Sequence, residues 1–398
     1  MTQLTKDCFY KICLDLKISN NIWIGLSGGL DSTVLLYLSH LAFNNNINYN
    51  INAVYINHNV NNNALSWQKY CQAICKKLNI NFQAISINPN IINNKKLGLE
   101  ATLRTLRINV WKKLLTPKDT LLLAHHLNDQ AETMFLRLLR GSGLTGLGSI
   151  REISFLSDIK IIRPLLNFTR EELENFAKKH NLSYIIDDSN YDKNFSRNFL
   201  RHEILPKLAV KWPKYLNNIN RTIKHLQLSD QFIKNQANNA LLSCYKNLNI
   251  NNILVINNLL KHEYFLQTEI VRCFITNQGF NPPDELKLKK IYTEIIAAKP
   301  DRQPQLNFGE YVIYRYRDCL YLYSADYLKN QEINIKNFSF KTTLDDLDIY
   351  FGNCIDYIGL GKAKKIFQKL GIPPWQRKDY PLVFQQGKLI AIIGLWVK

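Results

Sequence analysis

Ser27-Gly28-Gly29-Leu30-Asp31-Ser32 decides how the chain is read, because it stands between a β-rich apolar run, Ile22 to Ser27, and a helical run, Thr33 to Phe43. A glycine-rich turn leaving a strand and entering a helix lets the backbone approach a phosphate closely. The free N–H groups of the first helical turn then supply donors and partial positive charge. Ser27 and Ser32 add hydroxyl donors. Asp31 is the odd member: a carboxylate repels phosphate unless a divalent cation lies between them or it orients nearby groups, which makes it the candidate Mg²⁺ ligand.

Outward from the loop, strand and helix keep alternating. Strands are expected at Ile22 to Ser27, Asn52 to His58, Phe82 to Ile87, Thr120 to His125, Ile161 to Leu166 and Tyr184 to Asp188. Between them Trp67, Cys71, Ile74 and Leu78 step by 4, 3 and 4, as do Leu99, Leu103, Leu106 and Val110, which is helical spacing. Repeated βαβ units predict an α/β domain over residues 1–212, with a parallel, doubly wound sheet. Thr169, with Glu172 three residues on, has the form of a capping box. Beyond Trp212 the alternation stops. Residues 213–330 are expected to form a mostly helical domain, with helices at Tyr215 to Ala240, Glu263 to Asn277 and Asp284 to Ala298. A break at Lys299 to Gln305 follows, then paired strands within Tyr311 to Tyr323. Residues 331–398 are expected to form a small α+β domain, ending in a hairpin of Leu382 to Phe384, a turn at Gly387, and Leu389 to Val397.

Two further constellations carry chemistry. His125-His126-Leu127-Asn128-Asp129-Gln130-Ala131-Glu132-Thr133 begins where a strand ends and runs into a helix bearing Arg137 and Arg140. Strand C-termini of a parallel sheet line the ligand crevice. Asp129 and Glu132 share a helix face and could together hold one cation, Mg²⁺ or an ammonium group; the structural alternative is a pair of helix-dipole partners in a first turn. Asp187-Asp188-Ser189-Asn190 precedes Ser196 to Pro206, in which Arg197 and Arg201 lie one helical turn apart. Such a pair suits phosphate oxygens through forked N–H donors.

The 398 residues are 46% apolar and 21% charged, a globular composition. The formal charge is +19, from 51 basic and 32 acidic residues, which points to a polyanionic partner. The longest apolar run, Leu389 to Val397, is about half of what spans a bilayer and reads as a buried strand. No membrane is expected, and Lys6, Asp7, Lys11 and Asp15 interrupt any signal-peptide core, so a cytoplasmic chain is expected. The eight cysteines contain no C-x-x-C pair. Cys71 and Cys75, one turn apart, are expected to pack in a core rather than bind metal.

The six-residue loop is the signature of the PP-loop ATP pyrophosphatases, and the chain as a whole resembles the bacterial tRNA(Ile)-lysidine synthetases. S-G-G-x-D-S, H-H-x-x-D-Q-x-E-T, R-L-L-R-G-S-G-L-x-G-L, I-R-P-L-L and D-x-S-N ahead of R-N-x-x-R-x-x-I-L-P appear in that family's order. Gly361 to Phe367 and Ile372-Pro373-Pro374-Trp375-Gln376-Arg377 look like its C-terminal domain, and Glu100-Ala101 with Arg104 and Arg107 like its E-A-x-x-R-x-x-R segment. The resemblance implies an adenine nucleotide alpha hydrolase-like fold. It also implies a ligase that joins L-lysine to C2 of the wobble cytidine of a CAU-anticodon tRNA(Ile), with ATP as substrate and Mg²⁺ as cofactor, through an adenylated cytidine. AMP and pyrophosphate are released, and the tRNA moves from AUG to AUA reading and from Met to Ile identity. Carried over by residue, Ser27, Gly28, Gly29, Leu30, Asp31 and Ser32 cradle the nucleotide, with His126 and Arg104 or Arg107 beside it. Asp31, Asp129, Glu132 and Arg197 serve catalysis. A homodimer is compatible with this reading. The rivals are a tRNA sulfurtransferase of the same superfamily, which needs reactive cysteines or a cluster, and a non-catalytic RNA-binding protein.

Overall fold

A computed structural model describes residues 3–44, 46–58, 63–87, 99–247, 249–299, 302–326, 341–344, 347–350, 360–386 and 388–397. They fall into two compact units, Met1–Asp230 and Gln231–Lys398. Among them no helix is long and apolar enough to cross a membrane.

The first unit runs α1 (Lys6–Asp15), β1 (Asn21–Gly25), α2 (Leu30–Phe43), β2 (Asn50–Asn57), α3 (Ala64–Lys77), β3 (Asn81–Ser86), α4 (Leu99–Leu114), β4 (Asp119–Leu122), α5 (Leu127–Leu138), α6 (Leu144–Leu147), β5 (Ile153–Leu156), β6 (Ile159–Ile162) and α7 (Arg170–Lys179). After these come α8 (Ser196–Phe199), α9 (Leu205–Lys211) and the start of the long α10 (Tyr215–Cys244), whose residues after Asp230 belong to the second unit. The sheet order is β3-β2-β1-β4-β6-β5. All pairings are parallel except β5 with β6. The two faces of β1 explain its apolar run. Ile22 and Ile24 enter one core with Phe9, Val34, Cys71, Leu173 and Phe176, while Trp23 enters another with Trp111, Leu115 and Leu121. A parallel strand covered on both sides loses the polar alternation of a half-exposed one. The capping box on α7 forms as its sequence predicts: Thr169 Oγ1 accepts from the Glu172 N–H at 3.2 Å, and Glu172 Oε2 accepts from the Thr169 N–H at 2.7 Å.

Three sequence expectations change. Tyr184 to Asp188 is not a strand: Ile185 donates to the Gly28 carbonyl at 2.9 Å, and a 3₁₀ turn follows at Asp188–Tyr191. The edge of β6 that such a strand would need is occupied by β5, whose short antiparallel hairpin was too brief to register as a period. The strand expected at Ile161 to Leu166 therefore lies earlier, at Ile159–Ile162. The helix after the loop begins at Leu30 rather than Thr33.

The second unit adds a sheet to the expected helices. Its first part holds β7 (Tyr245–Asn247), β8 (Ile250–Val255), α11 (Ile256–Leu259), α12 (Tyr264–Thr276), α13 (Glu285–Lys290), β9 (Gln305–Asn307), β10 (Tyr311–Tyr316) and β11 (Cys319–Ser324). The strands order as β7-β8-β11-β10-β9, all antiparallel. β8, INNILV, hides behind two asparagines, residues depleted in strands. The second part is α+β, with β12 (Lys341–Leu344), β13 (Leu347–Tyr350), α14 (Leu360–Lys369), β14 (Leu382–Gln385), β15 (Lys388–Ile392) and β16 (Trp396–Val397). The hairpin of β14 and β15 is present, while the turn expected at Gly387 lies outside the described residues. The run Leu389 to Val397 is not one buried strand: it folds back at Gly394, whose φ of +81° only glycine adopts freely, and Val397 is exposed.

Candidate active site

Strand order reverses between β1 and β4, which are neighbours with Ile24 opposite Leu122. Such a switch point opens a crevice beyond the strand C-termini. The two motifs found separately in the sequence are thereby brought to one place. β1 delivers Ser27–Ser32 and β4 delivers His125 and His126.

In the loop, Gly28 has φ +83°, and a Cβ there would lie 2.6 Å from Ile185 Cδ1. Gly29 precedes α2 and has no side chain to cap it, so the first-turn N–H groups are not taken by a cap. The serines behave differently from expectation. Ser32 Oγ accepts from the Ser27 N–H at 3.1 Å and lies 3.1 Å from the Gly29 carbonyl, to which it donates, and the two hydroxyls are 3.0 Å apart. They hold the turn closed, with the Gly29 N–H donating to Ser27 Oγ at 3.4 Å, so the donors offered are the N–H groups of the first turn of α2.

His126 Nε2 lies 3.6 Å from Asp31 Oδ2 and 3.7 Å from Asp129 Oδ2, with the imidazole almost wholly buried. Burial opposes its charged form, but the charges of Asp129, Asp31 and Glu132 outweigh that and raise its pKa above the usual 6.5. Its neighbour His125 goes the other way: burial pushes it down to about 4, aided by Arg163, Arg197 and Arg107 against Asp129. Burial would raise Asp129, yet His126, Arg197, His125 and the His126 backbone N–H hold its carboxyl below the usual range. That N–H donates to Asp129 Oδ2 at 3.0 Å.

Sequence reading left Asp129 and Glu132 holding one cation and Arg197 and Arg201 facing phosphate. The structure pairs these groups with one another. Arg197 Nη2 donates to Asp129 Oδ1 at 2.8 Å and its Nε to Glu132 Oε2 at 2.6 Å. Arg201 Nε donates to Glu132 Oε1 at 2.6 Å and its Nη2 to Oε2 at 3.0 Å. Glu132 is 0% exposed. Its partner cations are guanidinium groups of this chain, because an unpaired carboxylate at that depth would be too costly.

Beside this network lies a cleft of about 510 Å³, lined by Ser27, Gly29, Leu30, Asp31 and Arg201 with Arg170, Glu174, Tyr184, Asp187 and Tyr191. A second, more apolar hollow of about 190 Å³ shares Ser27 and Trp67 with it and is walled by Val54, Tyr55, His58, Arg107 and Trp111. The guanidinium of Arg107 sits 5.5 Å over the Trp111 ring. Of the two arginines in the E-A-x-x-R-x-x-R segment, Arg107 therefore reaches a cleft wall, while Arg104 is exposed; the side chain of Glu100 lies outside the described residues. Sequence reading missed Arg170, Trp67 and Trp111, since no local pattern separates a wall residue from a core one. Arg201, read from the sequence as a phosphate donor beside Arg197, does line the cleft.

Other motif residues turn out to be structural. Arg137 donates to the carbonyls of Gly146 and Ser149, and Arg163 to the Arg151 carbonyl and Ser154 Oγ. Cys71 and Cys75 are buried, and burial pushes both thiols up to about 12. Among the described residues no group of three or more His, Cys, Asp or Glu is placed to hold a metal.

A parallel sheet whose switch point carries a glycine turn and an uncapped helix start is the frame of a nucleotide-binding α/β protein, and a PP-loop domain model matches residues 2–208, which places it in the PP-loop class. Models described as TilS substrate binding domain and TilS substrate C-terminal domain match 254–321 and 359–398. The tRNA(Ile)-lysidine synthase of Haemophilus influenzae (strain PittGG) is 34% identical, covering 94% of this chain and 94% of that one. That of Legionella pneumophila (strain Paris) is also 34% identical, covering 95% and 92%. The chain belongs to the tRNA(Ile)-lysidine synthase family. A U34-tRNA thiolase from Methanococcus maripaludis is similar over 56% of this chain and 78% of that one, at 20% identity and a TM-score of 0.48.

Proposed function

We propose that this chain uses ATP to join L-lysine to C2 of the wobble cytidine in a CAU-anticodon tRNA(Ile), forming lysidine. The observation that carries the reading is the meeting of Asp31 and the uncapped start of α2 in one cleft at the β1/β4 switch point, with the buried His126 behind Asp31.

The triphosphate lies along the first turn of α2, where N–H groups and the helix dipole favour anionic oxygens. The apolar hollow beside Ser27 takes the adenine, against Trp111 and Arg107. Asp31 suits Mg²⁺: its Oδ1 is buried without a hydrogen-bond partner, and Mg²⁺ typically takes one or two carboxylates plus water and phosphate oxygens. When bound there, the ion neutralises charge on the phosphates. Cytosine O2 attacks the α-phosphorus and pyrophosphate leaves, with the α2 N–H groups and Arg201 stabilising the charge that develops. The lysine ε-amine then attacks C2 and AMP departs. With a usual pKa near ~10.4 the amine arrives protonated, so a carboxylate must take its proton. Glu132, saturated by two arginines, is better placed to position Arg197 and Arg201, with Asp129, than to meet that ammonium. The acidic groups on the cleft wall are Asp31, Glu174 and Asp187. The three-part division at 212 and 330 assigns the last two parts to tRNA recognition.

The deeply buried Cys71 and Cys75 thiols count against the sulfurtransferase rival. The test is purified protein with unmodified CAU-anticodon tRNA(Ile), ATP and labelled lysine or cysteine. Lysine label should enter RNA with release of AMP, and Asp31→Asn should lower the rate by at least about 100-fold. Label from cysteine, or wild-type rates in the variant, would overturn the reading.

A further inference from the structure

The 3₁₀ turn Asp188–Tyr191 ends on a tyrosine that is 62% exposed yet lines the cleft shared by Ser27, Gly29 and Asp31. The ring is also held. His202, on the π-helical turn Leu200–Ile204, lies 5.6 Å from it, centroid to centroid, with the planes 26° apart. His202 Nε2 is 3.0 Å from the Asn190 carbonyl, and a proton on that nitrogen donates there. One imidazole therefore stacks on Tyr191 and ties down the turn that carries it. The same turn of chain that fixes His202 carries Arg201, anchored on Glu132, so the platform has a fixed place relative to the cleft floor.

We propose that the Tyr191–His202 stack is a platform for an unpaired nucleobase of the RNA substrate, holding it in the cleft beside the α2 N-terminus. This rests on the tRNA reading above and adds where a base is gripped. A single-stranded base offers a flat π face whatever its sequence, and aromatic rings are the usual means of holding one. The +19 charge of the chain fits the same polyanion.

The probe is a synthetic RNA hairpin carrying the CAU anticodon loop, titrated at fixed salt into the full chain and into Tyr191→Ala, Tyr191→Phe and His202→Ala. Loss of the ring should raise the hairpin Kd about tenfold or more, Tyr191→Phe should stay within about twofold, and His202→Ala should fall between. ATP affinity should change several-fold less than hairpin affinity in Tyr191→Ala. Unchanged hairpin binding in Tyr191→Ala, or a loss of ATP affinity as large as that for RNA, would overturn the platform; the second result would assign the ring to the nucleotide. Because Tyr191 is exposed, its truncation leaves the fold intact, which thermal melting checks. The titration needs no turnover. Absent lysine incorporation by the wild type would sink the tRNA reading by itself, whereas active wild type with unchanged hairpin binding in Tyr191→Ala would sink the platform alone.

Discussion

Both oxygens of Glu132 are taken by guanidinium nitrogens within 3.0 Å, and the side chain is closed to solvent. Removing one partner of a buried pair costs about 3–5 kcal/mol, and the partial exposure of both arginines places this case near the lower end. Glu132→Gln should therefore lower the melting temperature by roughly 6–12 °C, at about 2–4 °C per kcal/mol, and slow lysine incorporation by misplacing Arg197 and Arg201. A melting temperature within about 1 °C of wild type would show that the network is not what holds these residues. Asp129 supplies a pH signature. Its folded pKa is depressed, so its interactions contribute stability above the usual 3.8, and this is lost as pH falls through the depressed value. Unfolding followed against pH should show a shallower acid limb in Asp129→Asn than in wild type; identical slopes below pH 3.8 would contradict the assignment.

At the scale of the element, the loop between β1 and α2 separates two uses of glycine. Gly28 is needed for the turn itself: its φ is +83°, and a Cβ would meet Ile185 Cδ1 at 2.6 Å and Cys71 Sγ at 3.1 Å. Gly29 has ordinary φ, and its nearest neighbour to an added Cβ is Ser27 Oγ at 3.6 Å. Gly28→Ala should cost more than about 1–2 kcal/mol of stability. Gly29→Ala should leave melting unchanged while weakening ATP binding, because its added methyl stands at the helix start where phosphate approaches. Calorimetric melting and nucleotide titration of the two variants separate these outcomes, and equal melting temperatures would contradict the account. Trp375, in the Ile372 to Arg377 motif of the C-terminal region, has an element-scale role. Its ring stacks on Tyr314 at 4.5 Å and meets Tyr316 and Tyr321 edge-on, while Gln376 donates to Tyr323 Oη at 2.7 Å. Within the second unit, this segment packs against the tyrosine-rich face of β10 and β11.

For the whole molecule, the excess of 51 basic over 32 acidic residues sets how RNA binding responds to salt. If binding rests on six or more phosphate contacts, the association constant for full-length tRNA should fall by about 1000-fold or more between roughly 50 and 200 mM monovalent salt, linearly in the logarithms. A slope near zero in a filter-binding or anisotropy series would mean that the charge is not directed at the substrate.

The sequence by itself determined the parallel sheet, the glycine turn and the two strand-end motifs, because each is written in contiguous residues whose spacing local physics constrains. Strand against helix follows from the period of apolar side chains, and Gly28 from the φ its turn demands. The tertiary structure decided what those motifs face. Asp129 and Glu132 lie 65 to 69 positions from the arginines that hold them, and no local rule links charges so far apart. Their pairing follows from desolvation at the switch point, where a buried carboxylate must find a cation. The same holds for the Tyr184 to Asp188 segment, a plausible strand by composition that the antiparallel β5 keeps from the sheet edge. Propensity proposes an element, but only the packed neighbours settle whether a place is left for it.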